Sequence, residues 1–142
     1  MQEPTKRVPS SELEYPGDGL YYLGNEPFSG FALFIAKDGR EKGYAEYLNG
    51  LCWGETRETY PEGTPAVEAT FFKGVKHGRA REWHRNGHLA EHGEYEYGIT
   101  LWEKTWSENG AIERDYRLEE GDEAYQRLLE YRALYKKYAP VP

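Results

Sequence analysis

The stretch FKGVKHGRAREWHRNGHL, which runs from Phe72 to Leu89, decides the fold of this chain. Its glycines are Gly74, Gly78 and Gly87, and the last of them follows an asparagine. An Asn-Gly pair between two alternating segments is a strong signal for a β-hairpin, because glycine accepts the positive φ that such loops require. The stretch therefore predicts two short antiparallel strands joined by a tight loop.

The same pattern returns every 24 residues between residues 26 and 110. Four columns keep this period: Glu26, Gly50, Gly74 and Gly98; Gly30, Gly54, Gly78 and Trp102; Gly39, Gly63, Gly87 and, one residue early, Gly110; and Tyr47, Phe71 and Tyr95. Agreement among independent columns identifies an internal repeat in which each unit contacts only its neighbours. We therefore expect a mainly β fold, a single-layer antiparallel meander of repeated β-hairpins.

The hairpin loops are expected to contain three residues and to end on the glycine, as in Arg85-Asn86-Gly87. This register predicts the following cross-strand pairs: Trp83 with Leu89, Arg81 with Glu91, Trp106 with Ile112, Ile35 with Glu41, and Thr59 with Pro65. Two pairs place tryptophan against an aliphatic residue, which favours a core position for Trp83 and Trp106. Proline cannot donate to a ladder, so the hairpin of Pro65 is expected to bulge or to lie at an edge.

The repeat predicts a sheet over residues 15–118, between two segments of different character. Residues 1–14 are polar and are expected to be mobile, and Asp18–Leu23 reads as an incomplete unit that opens the sheet. In residues 119–142, Asp122 is placed to N-cap a C-terminal α-helix that runs to about Tyr138, before Pro140. The apolar stripe of this helix is Tyr125, Leu128, Tyr131, Leu134 or Tyr135, and Tyr138. We expect the stripe to dock on the open end or on one face of the sheet.

The composition excludes several classes of protein. Aromatic residues make up 15% of the 142 residues, which argues against a disordered chain. The mean hydropathy is −0.92, and no run approaches the ~18 apolar residues of a membrane-spanning helix. The net charge of −7 disfavours a nucleic-acid-binding protein and suits a basic partner. The single cysteine, Cys52, excludes an intramolecular disulfide, and the N-terminus lacks the apolar core of a signal peptide, so a cytoplasmic protein is expected.

Residues with catalytic or metal-binding chemistry form no recognisable motif in the sequence. Four histidines lie within sixteen residues: His77, His84, His88 and His92. The turn at Asn86-Gly87 prevents the helix that would align three of them for a metal. Cys52 and Ser107 lie in turn sequences without a recognisable base and orienting group. We therefore predict no catalytic residue, no metal and no cofactor, and a protein that is not an enzyme.

Charge and aromatic residues instead indicate a surface for a protein partner. Over Lys73–His88 five basic residues accompany one acid, whereas over Glu103–Glu130 nine acids accompany four basic residues. An acidic C-terminal third would dock on a basic partner, although ordinary solvation also explains such charges. Tryptophan is enriched in binding hot spots, so Trp53 and Trp102, at inter-hairpin turns, are the preferred anchors, with packing as their alternative role. The predicted partner-binding residues are Trp53, Trp102, Glu103, Glu119, Glu120, Asp122 and Glu123.

Residues 18–116 resemble the MORN-variant repeat family, which includes YwqK-like antitoxins. The typical unit of that family has an aromatic residue, Asn-Gly, three variable residues and Gly, then aromatics, Asn-Gly and an aliphatic residue, a pattern that Phe72–Leu89 matches. Leu20–Tyr22 and Glu26–Gly30 look like the family's first unit, whereas Trp102 stands where glycine is usual. The resemblance implies a sheet used as a binding platform and, because small bacterial members are frequently encoded beside toxins, an antitoxin or immunity protein. Its partner would be a cognate protein toxin with a basic surface, neither nucleic acid nor membrane; the alternative is a MORN-type scaffold or membrane-associated adaptor.

Overall fold

The computed structural model describes residues 5–136, in which eleven β-strands precede one α-helix. The strands are β1 Arg7–Pro9, β2 Tyr22–Leu23, β3 Glu26–Pro27, β4 Gly30–Ile35, β5 Glu41–Leu48, β6 Leu51–Thr59, β7 Pro65–Phe72, β8 Val75–Trp83, β9 Leu89–Glu96, β10 Ile99–Trp106 and β11 Ile112–Arg117. The helix, α1, is Glu123–Tyr135, and a 3-10 turn spans Ser10–Glu12.

Nine of the described strands form one sheet in the order β1-β4-β5-β6-β7-β8-β9-β10-β11. From β4 onward each strand pairs antiparallel with the next strand along the chain. The predicted mainly β fold, a meander of hairpins with a C-terminal helix, is confirmed. The N-terminal edge differs, because β1 pairs parallel to β4, with Val8 opposite Ala32.

Two kinds of turn alternate along the meander. The four long loops of the described chain have three residues each and end on the predicted glycine. A backbone hydrogen bond between the residues on either side closes each loop; in one of them the N–H of His84 donates to the His88 carbonyl at 2.8 Å. The short turns have two residues: Asn49-Gly50, Lys73-Gly74 and Tyr97-Gly98. Both residues of each short turn have positive φ, 50° at Asn49 and 86° at Gly50, which is the type I′ geometry that suits strand twist. Two of the glycine columns are therefore explained by turns.

The N-terminal segment is more ordered than its polar composition predicts. Arg7–Pro9, expected to be mobile, forms strand β1 at the edge of the sheet. Asp18–Leu23 does not open the main sheet as expected, because β2 pairs with β3 in a separate two-stranded sheet. The N–H of Tyr21 donates to the Gly50 carbonyl at 2.9 Å, so this small hairpin packs on the first short turn.

A one-residue bulge follows each long loop and changes the register. Four predicted pairs are confirmed: Trp83 with Leu89, Trp106 with Ile112, Ile35 with Glu41, and Thr59 with Pro65. The predicted pair of Arg81 with Glu91 is wrong, because Ala90 is an extra residue on β9. Glu82 therefore faces Glu91, and Arg81 faces His92. Equivalent extra residues are Lys42, Ala66 and Glu113, so the hairpin of Pro65 bulges as expected.

A second kind of bulge, after the short turns, explains why the fourth unit is one residue shorter. In the β5–β6 and β7–β8 pairs, three residues of the second strand, 53–55 and 77–79, lie opposite one residue of the first. Gly54 and Gly78, in these bulges, have φ of 110° and 108°. The β9–β10 bulge has a single extra residue, Leu101. Because the smaller bulge does not require positive φ, Trp102 can stand in the glycine column.

The sheet is a single layer, so side chains packed on its faces form the core. A row of small residues crosses the strands on one face, which we call the alanine face: Ala32, Ala45, Thr56, Ala69, Ala80 and Gly93. The Tyr95 ring packs over this row against Ala69 and Ala80 and is only 4% exposed. A Cβ at Gly93 would lie 2.7 Å from the Tyr95 hydroxyl, so the missing side chain leaves room for the ring. The opposite face, which we call the arginine face, carries Arg57, Arg79 and Arg81.

Trp83 and Trp106, expected in the core, are only half-buried. Both have the predicted neighbours, but a single layer provides no second sheet to cover the ends of its strands. Ile112, opposite Trp106 on the edge strand β11, is 60% exposed for the same reason. Cross-strand pairing is therefore predictable here, whereas burial is not.

Each short turn is bonded to the preceding unit through the same backbone hydrogen bond. The three equivalent bonds, each 2.8 Å long, are Gly50 N–H to the Phe28 carbonyl, Gly74 N–H to the Cys52 carbonyl, and Gly98 N–H to the Lys76 carbonyl. Donors and acceptors both recur every 24 residues, so the sequence period is also the period of contact between units.

Helix α1 begins where the sequence predicts it. Asp122 occupies the N-cap position as expected, but its side chain does not cap the helix; Oδ2 instead accepts the N–H of Glu119 in the preceding loop at 2.9 Å. The helix is described as far as Tyr135, and the expected end near Tyr138 and Pro140 lies outside the described residues.

The apolar stripe of α1 packs at the margin of the sheet beside the second and third short turns. The Tyr135 ring stacks on Tyr97, with centroids 5.2 Å apart, and meets Phe72 edge-on at 5.2 Å. Leu128 is 1% exposed, whereas Leu134 is 53% exposed, so Tyr135 rather than Leu134 continues the stripe. Within the described residues the stripe thus docks beside the short turns, on Phe72 and Tyr97.

Candidate partner-binding surfaces

Trp102 lies near the start of β10 on the arginine face, in a strand rather than in a turn. Its cross-strand neighbours are Glu94 and Arg117. The indole Nε1–H donates to Glu94 Oε1 at 3.2 Å, and the ring meets His92 edge-on at 4.9 Å. The ring is half-buried, so part of it stays accessible while two contacts fix its orientation.

Four of the five predicted acidic residues lie between β11 and the first turn of α1. We call Glu119, Glu120 and Asp122 of the connecting loop, together with Glu123 at the start of α1, the acidic loop. Three of its four carboxylate residues are exposed, and within residues 5–136 none of them forms an ion pair. The N–H of Leu118 donates to the Leu101 carbonyl at 2.8 Å, which holds the loop beside the start of β10. Trp102 and the acidic loop therefore belong to the same end of the last hairpin.

Glu103 is next to Trp102 in sequence but points to the alanine face. It accepts a hydrogen bond from the Tyr95 hydroxyl at 2.8 Å and forms an ion pair with Arg114 at 3.0 Å. Its side chain is 16% exposed. The structure thus places Glu103 among the groups that support the core and separates it from the acidic loop.

Trp53 lies on β6 and lines a separate cavity of about 690 Å³. The cavity walls include Lys6, Phe31, Glu46 and Leu48, and the Trp53 ring meets Phe72 edge-on at 5.1 Å. Four strand spacings separate β6 from β10, which is about 19 Å. Trp53 and Trp102 consequently belong to two surfaces rather than to one.

A group of three carboxylates on the alanine face was not foreseen from the sequence. Glu91 lies directly opposite Glu82, and Glu103 is the third member of the group. Burial, reinforced by hydrogen bonding with these two carboxylates, raises the pKa of Glu91 to about 7. Only the bulge at Ala90 brings Glu91 opposite Glu82, and no residue pattern in β9 indicates that bulge.

Substituting Glu91→Gln is expected to stabilise the protein at pH 8. Because the folded-state pKa of Glu91 is raised, the contribution of Glu91 to the stability of the fold is largest below pH 4.5. This contribution is lost as the pH rises through about 7. At pH 8 the variant removes a half-buried charge beside two others, a gain of roughly 1 kcal/mol once solvent screening is allowed for. Urea denaturation at pH 5 and pH 8 measures this, with exposed Glu113→Gln as the control. A Glu91→Gln gain that is equal at both pH values would contradict the raised pKa of Glu91.

The histidines have structural roles and do not form one common site. His77 is buried, accepts the Tyr97 N–H at Nδ1 at 2.9 Å, and has its pKa lowered mainly by burial. His84 pairs with His88 as expected, and His84 Nε2 bonds the Trp106 carbonyl at 2.7 Å. Over residues 5–136 no group of three or more His, Cys, Asp or Glu side chains is arranged to hold a metal ion.

The two candidate nucleophiles lie in unactivated surroundings. Cys52 Sγ is 3.6 Å from the Thr56 hydroxyl, and burial raises the pKa of the thiol, which disfavours the thiolate. The Ser107 hydroxyl is hydrogen-bonded to Asn109 within the last long loop. Both contacts are those of side chains that stabilise local structure.

The seven predicted residues thus divide among three places: Trp102 with the acidic loop, Trp53 in its cavity, and Glu103 on the alanine face. The surfaces at Trp102 and Trp53 are open to a partner, and the surface at Glu103 is largely covered. No helix within the described range is long and apolar enough to cross a membrane. Comparison of the chain with protein-family models, with curated protein sequences and with solved structures finds no match.

Proposed function

We propose that this protein is a non-catalytic, cytoplasmic antitoxin or immunity protein that neutralises a cognate bacterial toxin by direct binding and occlusion. The observation that carries the proposal is the position of the half-buried Trp102 beside the unpaired carboxylates of the acidic loop. A rigid aromatic ring next to exposed charge is typical of a binding hot spot with an electrostatic rim. The resemblance to MORN-variant antitoxins supports the same function from the repeat pattern.

The acidic loop would speed and orient encounter with a basic toxin surface. Charges at the rim of an interface change the association rate and its salt dependence more than they change the final contact. Trp102 would supply the desolvated contact, since Glu94 and His92 already restrict its orientation and little side-chain entropy is lost on binding. The partner surface that fits is therefore basic opposite the acidic loop and apolar opposite the Trp102 ring.

Charge reversal by Glu119→Lys with Glu120→Lys is expected to weaken toxin binding by about tenfold or more, mainly through slower association. The partner to use is the product of the open reading frame beside this gene, and the measurement is binding kinetics at two salt concentrations. Trp102→Ala is expected to cost at least as much, through faster dissociation.

The matched control is Glu108→Lys with Glu113→Lys, which makes the same charge change at the opposite end of the last hairpin. It should leave toxin binding within about twofold of the wild type, because those residues lie away from the acidic loop. If the neighbouring product is harmless when expressed alone, the antitoxin function is wrong. Salt-sensitive pelleting of the protein with anionic liposomes would instead favour a membrane-associated adaptor.

A further inference from the structure

Two rows of side chains lie next to each other on the arginine face across the last four strands. We call this patch the Trp102 platform. Its first row, in order from β8 to β11, is Arg79, Glu94, Trp102 and Arg117; its second row is Arg81, His92, Lys104 and Asp115. Neighbours in a row are one strand spacing apart, about 4.8 Å, so one aromatic ring and four cations occupy a compact area.

The four cations of the Trp102 platform have no carboxylate partner within 4.0 Å among residues 5–136. Of the thirteen other cations in the same range, seven form ion pairs, and Lys6, Lys37, Lys73, Lys76, Arg127 and Lys136 do not. The pairs are Arg7–Glu41, Arg40–Asp38, Lys42–Glu58, Arg57–Glu55, Arg85–Glu62, Arg114–Glu103 and Arg132–Glu96. The chain has 25 acids and 18 basic residues, so carboxylates are not scarce. The four unpaired cations of the platform are therefore available to an anion from outside.

The groups at the centre of the Trp102 platform contact one another. Glu94 is already engaged by the Trp102 Nε1–H, and Arg81 Nε lies 3.5 Å from His92 Nε2. Burial lowers the pKa of His92, and the guanidinium groups of Arg81 and Arg79 lower it further against the opposing effect of Glu94. With His92 neutral, the two rows carry four cations against the two carboxylates of Glu94 and Asp115, so the formal charge of the patch is +2.

We propose that the Trp102 platform docks an acidic segment of a protein partner, with carboxylates on the four cations and an apolar side chain against the Trp102 ring. Arginine and lysine pair with carboxylates through charge-assisted hydrogen bonds, and the indole offers a flat apolar surface between them. This surface has the opposite sign to the acidic loop. The Trp102 ring is common to both proposals, but this inference does not rest on the antitoxin function.

An acidic protein segment fits the Trp102 platform better than a nucleic acid does. Glu94 and Asp115 lie inside the patch, and Glu68 of β7 faces Arg81 from the adjacent strand. A polyphosphate would meet these carboxylates as well as the net charge of −7 of the whole chain. A protein segment can instead place its few charges opposite the cations and leave the acids in solvent.

The direct test uses a short fluorescein-labelled peptide of alternating glutamate and tyrosine with the full chain, measured by fluorescence anisotropy. We expect salt-sensitive binding and a change in Trp102 emission. Arg79→Glu with Arg81→Glu should weaken binding by about tenfold or more, and the milder Arg79→Gln with Arg81→Gln should weaken it by a smaller factor. The Gln variant keeps the test decisive if the charge reversal prevents folding.

The matched control is Lys37→Glu with Arg127→Glu, which makes the same charge change at two exposed cations outside the Trp102 platform. It should change the affinity by less than about twofold, because only long-range field is altered. Three results would each overturn the proposal: no binding of the acidic peptide, tighter binding of single-stranded oligothymidylate, or equal losses in the control and the platform variants. No toxin is used, so this test fails or succeeds separately from the antitoxin proposal.

Discussion

Replacing Gly43 with alanine is expected to lower the free energy of unfolding by about 3–5 kcal/mol, among the largest effects of any single substitution in this protein. Gly43 lies opposite Glu58, at a φ of 154°, where β5 approaches β6 closely. A Cβ added there would lie 2.1 Å from the Arg57 carbonyl oxygen and 2.7 Å from the Glu58 Cα. Both obstacles are backbone atoms of a central strand, which cannot move without breaking the ladder. Urea denaturation followed by tryptophan fluorescence measures the loss.

Gly63→Ala is the matched control for Gly43→Ala. Gly63 also has positive φ, 96°, but nothing lies within 4 Å of an added Cβ. Only the backbone preference is then lost, which costs about 1–2 kcal/mol. If the two variants are equally stable, the close approach of β5 and β6 at Gly43 is wrong.

Replacing Leu128 with alanine is expected to detach helix α1 from the sheet and to lower the free energy of its docking by about 3 kcal/mol. Leu128 is 1% exposed, the lowest exposure within α1, and it lies one turn before Tyr131 on the stripe that packs beside Tyr97. Loss of its side chain leaves a cavity that the tyrosines cannot fill. The measurement is the rate of tryptic cleavage at Arg127 and Arg132, because the backbone of a detached helix unfolds and can then enter the protease active site.

Leu134→Ala makes the same chemical change at a position that is 53% exposed. It should alter the free energy of unfolding by less than about 0.5 kcal/mol and leave tryptic cleavage unchanged. Faster cleavage of both variants to the same extent would show that helix propensity, rather than burial of Leu128, holds α1 in place.

The repeat made the meander predictable, and the bulges set the limit of that prediction. Loops that end on a glycine, such as Gly87, are predictable because the tolerance of positive φ is a property of the glycine itself. The pairing of Arg81 depended on a single extra residue, Ala90, and alanine has no conformational property that marks a bulge. Tertiary close packing between strands decides where such a residue is accommodated, so one cross-strand pair failed while four succeeded.

The sequence predicted which residue types form the candidate surfaces, but it did not predict which residues lie together on one face. Trp102 and Glu103 are adjacent in sequence and lie on opposite faces, because successive side chains of a strand alternate. Trp102 and Arg79 are far apart in sequence and share one face because β8, β9 and β10 are in the observed register. Each register passes through bulges, and errors in register accumulate from strand to strand. Composition alone could therefore identify an anchor without its surroundings.

Because each short-turn glycine forms the same bond to the preceding unit, the protein can be lengthened in identical steps of 24 residues. Insertion of another 24-residue unit would add one more identical bond and two more strands without altering any existing contact inside a unit. The cavity at Trp53 and the Trp102 platform would then move apart by about 10 Å and rotate relative to one another by about 40–50° with the twist of the sheet. Gene duplication can thus adjust the spacing of two docking surfaces in fixed steps, independently of the chemistry of either one.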